Sequence, residues 1–141
     1  MCYMADQTTN EIGMSLKMNA NFESALTRTI EALKVEGFGV LTEIDVKETL
    51  KKKLDVDFPP YKILGACNPS LAHRALIIDP KVGLLLPCNV TVRQIEDGTS
   101  EVSLVDPLVM LGVITNPGLR EIAEEARIRL ERVAAALKNS Q

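Results

Sequence analysis

A chain of 141 residues with 46% hydrophobic and 25% charged side chains fits one compact domain and excludes a disordered or fibrous architecture. The formal net charge of -3, from 16 Lys and Arg against 19 Asp and Glu, leaves no basic footprint, so neither nucleic acid nor an anionic membrane surface is an expected partner. Three cysteines, Cys2, Cys67 and Cys88, lack the close pairing of a zinc ribbon or a redox CxxC and are expected to be reduced thiols in a cytoplasmic protein.

Residues 1–11 show neither the basic start nor the apolar stretch of a signal peptide, and they read as a disordered or tag-like tail ahead of a single domain over residues 12–138. Ile12, Met14, Leu16 and Met18 alternate with Gly13, Ser15 and Lys17, the period of a half-buried strand. From Asn21 the period changes to that of a helix, with Phe22, Ala25, Leu26, Thr29, Ile30 and Leu33 on one face and Asn21 as its cap. Gly37 can end that helix in the left-handed conformation, with Phe38 folding back on the last turn. Gly39 to Asp45 reads as a second strand. Asp45 then caps a short helix ending near Leu54, with Glu48 placed for a capping box and Lys51 to Lys53 on a solvated face.

Pro59-Pro60 enforces a loop before a third strand, Tyr61 to Cys67. Asn68-Pro69 is an efficient helix start, because Asn supplies a cap oxygen and Pro gives up an amide that had no partner. Leu71, Ala72, Ala75 and Leu76 are that helix's expected buried face, and Asp79-Pro80 stops it. Leu84 to Ile95 and Thr99 to Asp106 read as a hairpin around Glu96-Asp97-Gly98. A three-residue loop with a bulge opposes Val92 with Val102 and Val90 with Leu104, which keeps apolar residues on one face. Asp106-Pro107 opens a short apolar turn. Asn116-Pro117 opens the last helix, whose stripe runs from Leu119 and Ile122 to Val133, Ala134 and Leu137, with Glu125 and Arg129 at a supportive i, i+4 spacing. Ile128 and Val109 to Leu111 hint at a partner surface. The order predicts an α+β domain, a mainly antiparallel sheet with the two long helices laid across one face.

Decisive motifs are few. Glu36-Gly37-Phe38-Gly39 precedes a strand instead of opening a helix, so it is no phosphate loop. His73 is the sole histidine and no serine sits in an elbow motif, which leaves no triad. Cys67, His73 and Cys88 are too few for a closed structural zinc site, and no metal is expected. What stands out is a pair of Cys-Asn steps, Cys67-Asn68 and Cys88-Asn89. Cys67 precedes a helix N-terminus, where unpaired amides and the helix dipole can favour a thiolate or an anionic ligand. Cys88 follows Pro87 in an expected strand, which implies an edge or a bulge. Each cysteine has a plainer alternative as a small buried hydrophobe, and Asn68 has one as a cap. Asn89, in an apolar strand, must find partners or face a polar cavity.

Glu36 to Lys47, Leu64-Gly-Ala-Cys-Asn-Pro69, Leu84-Leu-Leu-Pro-Cys-Asn-Val90 and Val105-Asp-Pro107 together resemble the signatures of the domain-of-unknown-function 302 family, in its order, over Ile12 to Leu137. The resemblance implies a two-layer α+β fold of the TATA-binding-protein-like class and a homodimer, and it brings no established activity or cofactor. Three readings stand side by side. The first is a homodimeric module binding a small molecule, an anion among the candidates, in a cleft near Cys67, Asn68, Cys88 and Asn89. The second is a thiol-dependent redox or transfer enzyme using Cys67, and the third a purely structural or interaction protein.

Overall fold

The computed structural model describes residues 12–140. The tail expected at residues 1–11 therefore lies outside the described residues. One five-stranded sheet, wholly antiparallel, runs in the order β1-β5-β4-β3-β2. Its strands are β1 (Gly13–Met18), β2 (Gly39–Asp45), β3 (Tyr61–Cys67), β4 (Cys88–Glu96) and β5 (Thr99–Val105). The helices are α1 (Phe22–Val35), α2 (Val46–Leu54), α3 (Pro69–Ile78), α4 (Pro107–Met110) and α5 (Pro117–Asn139), with 3-10 turns at Pro80–Leu85 and Leu111–Val113.

Side-chain caps set the helix starts. Asn21, Asp45, Asn68, Asp106 and Asn116 each accept a hydrogen bond from a backbone N–H in the first turn that follows. The end of α1 is a Schellman motif: Gly37 has φ 85°, its N–H donates to the Lys34 carbonyl, and the Phe38 N–H reaches the Leu33 carbonyl at 2.9 Å.

Two apolar clusters result. The larger lies between one sheet face and the helices α1 and α5, and includes Met18, Leu33, Val90, Val102 and Leu130. All eight residues of the α5 stripe are buried, so that helix is held by packing more than by propensity. The smaller cluster gathers α3, the two 3-10 turns and the first half of α5 around Leu71, Val82 and Ile122. The hairpin has the bulged register, with Val92 opposite Val102 and Val90 opposite Leu104, and the shift falls between Gln94 and Glu96.

Three expectations give way. Leu84 to Leu86 is not strand: the Asp79 side chain accepts from the Lys81 N–H at 2.9 Å and opens a 3-10 turn, leaving Leu84 87% exposed. A short apolar run fits either structure, and here the cap decides. Pro87 then precedes β4 instead of sitting inside it, so β4 is the central strand with neither an edge nor a bulge at Cys88. Leu76 is exposed, because α3 packs through Leu71 and Ala75 alone.

Candidate functional site

The end of β3 and the start of β4 lie side by side. Ala66 pairs with Cys88 and Gly65 with Asn89. A strand turns successive side chains to opposite faces, and burial along β4 follows that rule: Cys88 and Val90 are buried, Asn89 is exposed. Cys88 belongs to the face covered by helices. Asn89 belongs to the open face, where it joins Tyr61, Thr91 and the hydrogen-bonded hydroxyls of Ser15 and Ser103, 2.8 Å apart, around a shallow depression of about 360 Å³.

Cys67, Asn68 and Cys88 line a different space. It is a crevice at the seam of the two apolar clusters, with a cavity volume of about 40 Å³. That is room for roughly three water-sized groups, since one water needs about 10–15 Å³ on the same measure. The walls are apolar apart from Asn68 and the two thiols. Each of the four sequence words contributes to it: Phe38 from the first, Cys67 and Asn68 from the second, Pro87 and Cys88 from the third, Pro107 from the fourth. Asn89 does not line this crevice.

Asn68 is the polar centre. Its Oδ1 accepts from the Leu71 N–H at 3.1 Å, which is the cap of α3. The side chain is 9% exposed, and its Nδ2 has no hydrogen-bond partner among the described residues. Gly37 packs against that amide, since a Cβ there would lie 2.8 Å from Nδ2. On the other side of Gly37 stands Arg129, whose guanidinium donates to the Glu36 carbonyl at 3.2 Å and to the Glu125 carboxylate at 3.4 Å, while its Nε is buried without a partner. Arg74 also donates to Glu125, at 3.1 Å, and this bond is the main reason that its carboxyl is held below the usual range.

Sequence reasoning reached Asn68 and both thiols but missed Arg129 and the second role of Gly37. Arg129 signalled only an i, i+4 pair along α5, and its contact with the end of α1 depends on how those helices cross.

Burial moves both thiols away from the thiolate form. Burial pushes the Cys67 thiol up, and burial followed by the charge of Cys67 pushes Cys88 up to about 11. Of the amides expected to favour a thiolate at the start of α3, that of Leu71 is bonded to Asn68 Oδ1 and that of Ala72 to the Asn68 carbonyl. His73 is exposed on α3, and among the described residues no group of three or more His, Cys, Asp or Glu is placed to hold a metal ion. No helix among them is long and apolar enough to cross a membrane.

The family model for a domain of unknown function, DUF302, matches residues 14–137. The chain belongs to the DUF302 family. A crystal structure of an uncharacterized conserved DUF302 protein from Bacillus stearothermophilus is 35% identical, covers 92% of this chain and 98% of its own, and superposes with a TM-score of 0.78. No curated protein matches. DUF302 membership accounts for the four words and the α+β fold, and carries no activity with it.

Proposed function

We propose that this DUF302 protein is a homodimeric binding module whose crevice holds a small neutral ligand, or the tip of a longer one, through a hydrogen-bond acceptor placed on Asn68 Nδ2. The observation that carries the reading is a side chain nine-tenths buried, with one end fixed as a helix cap and two amide protons left unpartnered beside an apolar crevice. Among the described residues only Arg129 Nε is both fully buried and unpartnered, so Asn68 Nδ2 keeps some access to solvent, and an acceptor bound there replaces water with a hydrogen bond worth about 0.5–1.5 kcal/mol.

The ligand is neutral in this reading because no cation lines the crevice and its walls are apolar. This replaces the anionic alternative, whose basis was a set of open amides at the start of α3. The volume of about 40 Å³ restricts the buried part to a few non-hydrogen atoms, such as a short aliphatic carbonyl. Enzymatic use of Cys67 draws no support from a thiol that burial pushes up.

A panel of short amides, ketones and esters, read by thermal shift, tests the proposal. Asn68→Asp keeps the cap acceptor and removes the donors, and Ala72→Val narrows the crevice. Stabilisation of the wild type by at least one member, lost in both variants, supports it; stabilisation of neither the wild type nor any variant overturns it.

A further inference from the structure

From Gly39 to Ile63 no residue is buried, although this stretch holds a whole strand, β2, and a whole helix, α2. Elsewhere in the fold every helix buries at least one residue, whereas α2 buries none. Val46, Leu50 and Leu54 recur at i, i+4, i+8 along it, the spacing of a packing face, of which Val46 and Leu50 are half-buried and Leu54 is exposed. A helix of nine residues is marginal in water unless something covers that face.

Around it the apolar surface continues. Leu41, at the bulge in β2 between Val40 and Thr42, is 69% exposed, and Leu54 is 65% exposed. Ile44 lies exposed opposite Ile63, and Phe58 rests on Tyr61 with ring centroids 6.1 Å apart. Scattered exposed apolar residues are ordinary, but an unburied strand and helix in succession mark a contact surface.

We propose that the β2–α2 surface is where two copies of this chain meet, isologously, with Leu41 and Leu54 near the centre of the contact. The inference rests on the reading of the protein as a homodimer and supplies its interface. Two observations fit a second copy of the chain. Glu43 to Lys62 carries five acidic and five basic residues, so the surface has no net charge to select a strongly acidic or basic partner. Interspersed signs on one patch are what a twofold contact needs, because the patch must complement itself. In addition, β2 is an edge strand, whose outward N–H and C=O groups can pair antiparallel with the same strand of a second copy.

Sedimentation equilibrium on the full chain, from micromolar to hundreds of micromolar, tests this. A wild-type dimer that Leu41→Glu with Leu54→Glu weakens by at least about a hundredfold is the expected result. Leu84→Glu, still more exposed but outside the surface, leaves the dimer intact. Because neither Leu41 nor Leu54 is buried, the double variant keeps the circular dichroism of the wild type. Hydrogen exchange on the unaltered protein gives a second reading: protection across β2 and α2 rises with protein concentration.

A wild-type dimer that the double variant does not weaken, or protection at β2 and α2 independent of concentration in a dimer, overturns the interface and leaves self-association standing. A wild-type monomer throughout the range overturns both. Either outcome leaves the crevice reading untouched, since Asn68 lies outside the surface.

Discussion

Gly37 and Asn68 pack on each other although 30 residues separate their turns: the space a Cβ would take at Gly37 lies 2.8 Å from Asn68 Nδ2. One glycine thus ends α1 in a left-handed conformation and makes room for the cap of α3. Gly37→Ala incurs both penalties, about 1–2 kcal/mol for the positive φ and a further cost for displacing the amide. Gly39→Ala, with nothing within 4 Å of its added Cβ, is nearly neutral. Thermal unfolding of the two variants checks this contrast, and equal losses would contradict it.

Removing the cap has its own size. Asn68→Ala loses the bond to the Leu71 N–H and is expected to cost about 1 kcal/mol, while Asn68→Asp stays close to wild type because aspartate caps equally well. Urea unfolding separates the two. The distinction matters because Asn68→Asp isolates the donor role of the side chain from its structural one.

The buried thiol makes stability depend on pH in a defined direction. Cys88 titrates near 9.0 when unperturbed and at about 11 in the fold, where burial and then the charge of Cys67 disfavour the thiolate. Below pH 9 both folded and unfolded chains carry the neutral thiol, and the stabilisation is whole. Between 9 and 11 the unfolded chain releases a proton that the fold retains, so stability falls, on the order of 2 kcal/mol, and the contribution is gone once pH passes 11. Urea midpoints from pH 8 to 11.5 are therefore steeper in pH for wild type than for Cys88→Ala.

Alkylation at neutral pH follows from the same environment. Both thiols react with iodoacetamide more slowly than a free cysteine, and Cys88 more slowly than Cys67, since it is the more deeply buried. Peptide mapping after timed alkylation measures each. A Cys67 faster than free cysteine would restore the case for thiol chemistry.

Much of the fold was legible because it is written in local chemistry. Asn or Asp before Pro marks three helix starts, at Asn68, Asp106 and Asn116, and the alternation of valines across the hairpin fixes its bulge. Leu84 to Leu86 could not be read the same way, since nothing in three leucines distinguishes a strand from a turn. Half of the candidate site was legible too. Cys67, Asn68 and Cys88 meet because β3 and β4 are neighbours, but strand alternation itself separates Cys88 from Asn89, and treating each Cys-Asn step as a unit overlooked that period. Arg129 and the unburied β2–α2 surface are properties of packing, and no single segment announces them.

Asn68 is the polar centre of the crevice, and its side-chain amide is directly observable. Proton–nitrogen correlation spectra of the labelled protein, recorded while a short amide or ketone stabilising the wild type is added, follow the two Nδ2 protons and the backbone of Cys67 to Leu71. Saturable shifts concentrated on those signals, and absent in Ala72→Val, are the expected result. Saturable shifts confined to the depression around Asn89, with the Asn68 amide unmoved, would contradict it.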